Sequence, residues 1–113
     1  MDQVETYPTL IKNALCDYVA LVQRSPNLPY QVATIFDDEH QRYLVCKIGW
    51  KENKRILKTV LHVAVQNGKI WIEEDLTEEG IATWFLEHGV SNNAIVPGFQ
   101  LPLMRPYGEF AVA

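Results

Sequence analysis

Apolar residues in the first part of the chain recur every three or four positions, at Val4, Tyr7, Ile11, Leu15, Tyr18 and Val22. That spacing makes one stripe along an amphipathic helix. Pro8 is tolerated only in a first turn, so Thr6 is the expected N-cap and the regular helix is expected over residues 7–23. Two prolines within residues 24–29 then stop it. From Tyr30 the period changes to two, and strands are predicted over 30–36, 42–50, 55–66 and 69–74. On the second of these Leu44, Cys46, Ile48 and Trp50 share a face. The last two strands are joined by Asn67-Gly68, the strongest short hairpin signal, because a type I′ turn needs positive φ at both central positions. The turn sets a register: Gln66 opposite Lys69, with Val65–Ile70 and Val63–Ile72 on a core face. Ala64–Trp71 and His62–Glu73 then fall on the other face.

After the strands, Asp75 and Thr77 are candidate caps for a second helix, and Glu78 and Glu79 suit its positive end. Ile81, Trp84, Phe85 and His88 continue its stripe, and Gly89 is placed to end it. Gly80 would weaken its first turn by about 1 kcal/mol relative to alanine, which implies a packing reason for it. From Ser91 onward the chain carries Pro97, Pro102 and Pro106 among apolar residues that include Phe99, Leu101, Phe110 and Val112. Such a tail either wraps the domain or presents a surface to a partner chain. The expected fold is α+β: an N-terminal helix, a four-stranded antiparallel meander, a second helix and an extended C-terminal tail, with the helices on one sheet face.

Composition narrows the function classes. A chain of 113 residues suits one domain, expected to span residues 1–113. Its 48% hydrophobic content argues against disorder. No apolar run approaches the ~20 residues of a membrane span, and no signal-peptide pattern opens the sequence, so no membrane association and a cytoplasmic location are expected. The formal net charge of −4 disfavours direct nucleic-acid binding. Cys16 and Cys46 are isolated and read as small buried hydrophobes rather than a disulfide or zinc site.

Three groups of residues carry candidate chemistry. His62 beside Glu73 could serve as a general base or part of a metal site, although the same pair also reads as a cross-strand charge pair. Neither His40 nor His88 has a metal-ligand spacing to His62, and no Walker, G-x-S-x-G or H-E-x-x-H pattern is present, so no cofactor or metal is expected. Trp50 with Lys54 and Arg55 could stack and neutralise a single strand, or simply close a sheet end. Trp71, Ala64, Arg105, Phe110 and Val112 are candidates for a protein interface, Trp71 especially, unless the tail covers it.

The run Gly68 to Val90 (GKIWIEEDLTEEGIATWFLEHGV), preceded by Gly49-Trp50 and Val60-Leu61-His62 and followed by Arg105 and the terminal FAVA, resembles the XisI-like family. These small, mostly cyanobacterial proteins are named after the fdxN-element excision controlling factor. The loop after the second helix departs from the family pattern, reading Gly89-Val90-Ser91-Asn92 where Gly-Val-Pro-Lys is usual. The resemblance implies an accessory role in programmed site-specific DNA excision, through protein–protein binding to a nuclease-like companion of the XisH type, with no catalytic residues to carry over. Self-association is a further expectation. The alternatives are a small hydrolase or nuclease subunit using His62 and Glu73, or a direct DNA-binding module.

Overall fold

The structure, a computed structural model, describes residues 3–113, with side chains described from Thr6 onward. Helix α1 spans Gln3–Gln23, β1 Tyr30–Asp37, β2 Arg42–Lys51, β3 Lys54–Gln66, β4 Lys69–Asp75, α2 Ile81–Glu87 and β5 Ile95–Val96. A 3₁₀ turn at Asn92–Ala94 precedes β5, and a 3₁₀ helix, Pro102–Tyr107, follows it. Four strands lie within two residues of their expected limits. Helix α1 begins earlier than expected, so Thr6 lies inside it rather than capping it, and Pro8 sits beyond the first turn. Near a helix start the missing proline N–H removes only one backbone bond. Val4 of the predicted stripe lies outside the described side chains; Tyr7, Ile11 and Leu15 are buried as expected. Cys16, one position past Leu15 and off the stripe, is exposed rather than buried, and Cys46 on β2 is only half-buried.

The sheet order is β1-β2-β3-β4-β5. The first four strands form the expected antiparallel meander, but the tail adds a fifth strand, parallel to β4, pairing Ile70 with Ile95 and Trp71 with Val96. The sheet is therefore mixed, and β4-α2-β5 is a crossover unit whose helix returns the chain to run alongside β4. A two-residue strand is too short for its own periodicity to announce it.

Both helices lie on one sheet face. Tyr7, Ile11, Ala14 and Leu15 of α1, with Ile81 and Phe85 of α2, pack on Tyr43, Val45, Leu61, Val63, Ile70 and Ile72. Tyr43 and Val45 point inward, which turns the expected stripe of Leu44, Cys46, Ile48 and Trp50 to the opposite, outer face. There Ile35, Trp50 and Leu57 are 52%, 58% and 66% exposed.

Two bulges control what faces where. One, between Val45 and Cys46, leaves Val60 as the extra residue on β3. The other, between His62 and Val63, makes Glu73 the extra residue on β4. This second bulge inverts the alternation, so Asp75 pairs with Leu61 and points to the helix side. Its carboxylate there accepts the backbone N–H of Thr77 at 2.8 Å and of Ile81 at 2.6 Å. Asp75 is thus tied to the start of α2, while Glu78 and Glu79 precede the helix instead of forming its first turn. Gly80 stands at the N-cap with φ 83°, a conformation that favours glycine, so it shapes the entry rather than weakening the first turn. The other end closes as a Schellman motif: Val90 N–H donates to Phe85 O and Gly89 N–H to Leu86 O, with Gly89 at φ 91°.

Candidate functional site

The hairpin register holds through Gln66–Lys69, Val65–Ile70, Ala64–Trp71 and Val63–Ile72, and then breaks. Because of the bulge, His62 pairs with Glu74, not with Glu73 as expected. Glu73 instead forms an ion pair with Arg42 at 3.6 Å. The Arg42 guanidinium also lies 3.3 Å from His62 Nε2. In that contact the guanidinium can only donate, so Nε2 accepts and the proton sits on Nδ1. Burial, followed by the Arg42 charge, pushes the imidazole pKa below its ordinary value, against a smaller opposing pull from Glu73 and Glu74. The lone pair a general base would use is engaged by a cation. Among the described residues no group of three or more His, Cys, Asp and Glu side chains could hold a metal ion. Pattern reading missed Arg42, whose signal was its place opposite Ala64, one row from His62.

The outer-face cluster around Trp71 is organised by the tail. Arg105 is 9% exposed, and its guanidinium lies 5.3 Å from the Trp71 ring centroid. It donates to three main-chain carbonyls, those of Gly98, Gln100 and Val112, each at 3.2 Å. Among the described residues it forms no salt bridge, so carbonyl dipoles and the indole face stabilise a buried cation. Gly98 lies against Trp71 and Glu73, where a Cβ would crowd both. The Trp71 indole N–H bonds Gln66 O at 3.0 Å. The tail therefore covers Trp71, and Ala64, 1% exposed, lies buried on the same face. Phe110 packs on the core, Ala111 N–H bonds Ile95 O at 2.9 Å, and Val112 remains half exposed. Of the five interface candidates, four are thus engaged within the chain.

Other tail residues face solvent. Phe99, Leu101, Leu103, Met104 and Tyr107 are 55%, 64%, 75%, 53% and 84% exposed. At the opposite end of the sheet Lys54 and Arg55 are exposed, and Arg55 lies 5.1 Å over the Trp50 ring. Trp84 fills the seam between the helices: its indole N–H donates to Asp17 at 2.9 Å and its ring stacks on His88 at 3.6 Å. Beside it runs a groove of about 530 Å³ with Asp17, Glu78, Glu79 and Glu87 on its walls. No helix among the described residues is long and apolar enough to cross a membrane.

The sequence matches the family model described as XisI protein over residues 1–112. Among solved structures it is similar to a XisI-like protein from Anabaena variabilis, at 31% identity and a TM-score of 0.88, over 97% of this chain and 99% of that one. It is also similar to the fdxN element excision controlling factor XisI of Anabaena variabilis, at 34% identity and a TM-score of 0.86, over 99% and 100% of the two chains. No curated protein sequence matches it. The chain belongs to the XisI family.

Proposed function

We propose that this XisI-family chain is a non-catalytic accessory factor that works by binding another protein, a nuclease-like companion of the XisH type, in programmed site-specific DNA excision. The observation that carries the reading is the tail. Five large apolar side chains, Phe99, Leu101, Leu103, Met104 and Tyr107, stand in solvent on a segment held in place by a buried arginine. Large apolar groups on an ordered scaffold lose little conformational freedom on docking, which favours protein recognition. Support for the process comes from the related solved structure that is a fdxN element excision controlling factor. The engagement of His62 by Arg42 weighs against the hydrolase alternative.

The test is co-expression with the companion followed by light-scattering chromatography. A joint species is expected, lost in a Leu103→Glu/Tyr107→Glu variant that keeps its fold. These positions make cleaner probes than deletion of residues 108–113, which would also remove Phe110 from the core. Absence of a joint species, or one unaffected by the double substitution, would refute the reading.

A further inference from the structure

The two edges of the sheet are treated differently. At one, β5 is only two residues long, and the tail goes on to bond β4, with Phe99 N–H donating to Ile72 O at 3.1 Å. At the other, β1 runs eight residues, and its register against β2 is unbroken by any bulge. Edge strands are normally blunted by lysine, proline, a bulge or a covering loop, because a bare row of main-chain groups accepts another strand. Tyr30–Asp37 contains no lysine, arginine or proline. Thr34 alternates onto the helix side with Val32 and Phe36 yet is exposed, so α1 leaves the middle of the edge uncovered. We propose that β1 is a homodimer interface, paired antiparallel with β1 of a second copy across a two-fold axis at Ala33, so that two sheets join edge to edge.

Two hydrogen bonds identify the free main-chain groups. Trp50 N–H donates to Pro29 O at 3.3 Å and Val65 N–H to Gln41 O at 3.0 Å, each directly across its ladder. Bonded and non-bonded pairs alternate along an antiparallel ladder. Gln31, Ala33, Ile35 and Asp37 therefore turn their N–H and C=O towards β2. Tyr30, Val32, Thr34 and Phe36 turn theirs away from it, and β1 ends the strand order, so no strand of the chain meets them.

The sequence around Ala33 identifies the second copy as the occupant, because it is chemically symmetric. Valine and threonine flank Ala33, and tyrosine and phenylalanine stand three positions away on either side. A two-fold axis at Ala33 sets Val32 opposite Thr34 and Tyr30 opposite Phe36 of the other copy. These are the outward-bonding positions, so every free N–H and C=O on the edge meets its complement. Moving the axis to Thr34 would put Tyr30 opposite Asp38, outside the strand, and moving it to Val32 would put Phe36 opposite Leu28. On the helix side the aromatic and branched pairs become cross-strand neighbours. On the outer side Ala33 meets its own copy at a non-hydrogen-bonded position, where Cα atoms approach to ~4.5 Å and a small side chain fits. Gln31 there lies opposite Ile35, which is 52% exposed in the single chain. An isologous contact of this kind closes at two copies and leaves no free β1 edge. The edge is separate from the tail strip, and the proposal stands whether or not a companion protein binds there.

The experiment uses the full chain alone. Light scattering is expected to give twice the 13.0 kDa chain mass. Thr34→Pro removes an outward N–H and no bond to β2, so circular dichroism should be unchanged while the dimer dissociation constant rises roughly a hundredfold. Thr34→Lys, a charge at an exposed position, should weaken the dimer in the same direction and decides the matter if proline disturbs the fold. In a Cys16→Ser/Cys46→Ser background, Ala33→Cys is expected to link two copies when diamide, a two-electron oxidant, takes the two thiol hydrogens, because facing Cα atoms lie within disulfide reach. Gln31→Cys in that background stands ~13 Å from its own copy and should link at least about tenfold more slowly. A monomer at about 500 μM, far above the range of a specific interface, would overturn the proposal. So would a dimer that survives both Thr34 variants, or Gln31→Cys linking as fast as Ala33→Cys.

Discussion

Replacing Arg105 by methionine keeps most of its aliphatic stem and removes every donor. Three carbonyls, those of Gly98, Gln100 and Val112, then lose a charged partner, and the Trp71 face loses its cation. A hydrogen bond to a charged group contributes about 1.5–3 kcal/mol, but three that share one anchor are not additive. The tail can also peel away locally, which caps the loss at the free energy of tail docking. We therefore expect a loss of about 3–4 kcal/mol for Arg105→Met. At roughly 4 °C per kcal/mol for a chain of this length, the melting midpoint should fall by about 12–16 °C. Chymotrypsin cleavage at Tyr107 and Phe110 should accelerate in parallel. Arg105→Lys should fall between, because one ammonium cannot reach carbonyls on both sides of the site as a planar guanidinium does. A midpoint shift under about 3 °C in the methionine variant, which is less than 1 kcal/mol, would refute the view that this cation organises the tail.

Two further outcomes are expected. Asp75→Ala removes the acceptor for Thr77 and Ile81 N–H; it should cost about 2 kcal/mol in a urea titration, and an effect within a few tenths would show that the bulge-directed carboxylate is dispensable. His62 has a folded pKa below its ordinary 6.5, so the unfolded chain takes the proton first as pH falls. The stability present above pH 6.5 is therefore lost on descending towards the folded value. His62→Gln should flatten the urea midpoint between about pH 7 and pH 5, and an equally steep profile in the variant would exclude the imidazole as the cause.

Much of the candidate site was legible because hairpin pairing is local. Asn67-Gly68 dictates four residue pairs correctly, since a two-residue turn leaves no freedom until a bulge intervenes. The bulge at Glu73 leaves no mark in the alternation of β4, as all of Glu73, Glu74 and Asp75 are acidic. The misplaced partner of His62 and the inward turn of Asp75 both follow from that single residue. Arg105 was visible as an interface type of residue, but its role depends on carbonyls seven residues away on either side.

The sequence alone determined what short-range physics can determine: the helix stripe, the alternating strands, the tight hairpin, the glycine that closes α2, and the membership signalled by their order. Tertiary structure decided which face of β2 is the core, that the tail supplies a parallel fifth strand, that Trp71 is covered, and that the edge of β1 remains bare. Alternation shows that two faces differ; it does not show which one the helices will cover when both are apolar. That choice belongs to contacts between distant segments, α1 against β1–β3 and the tail against β4, whose energies no local pattern contains.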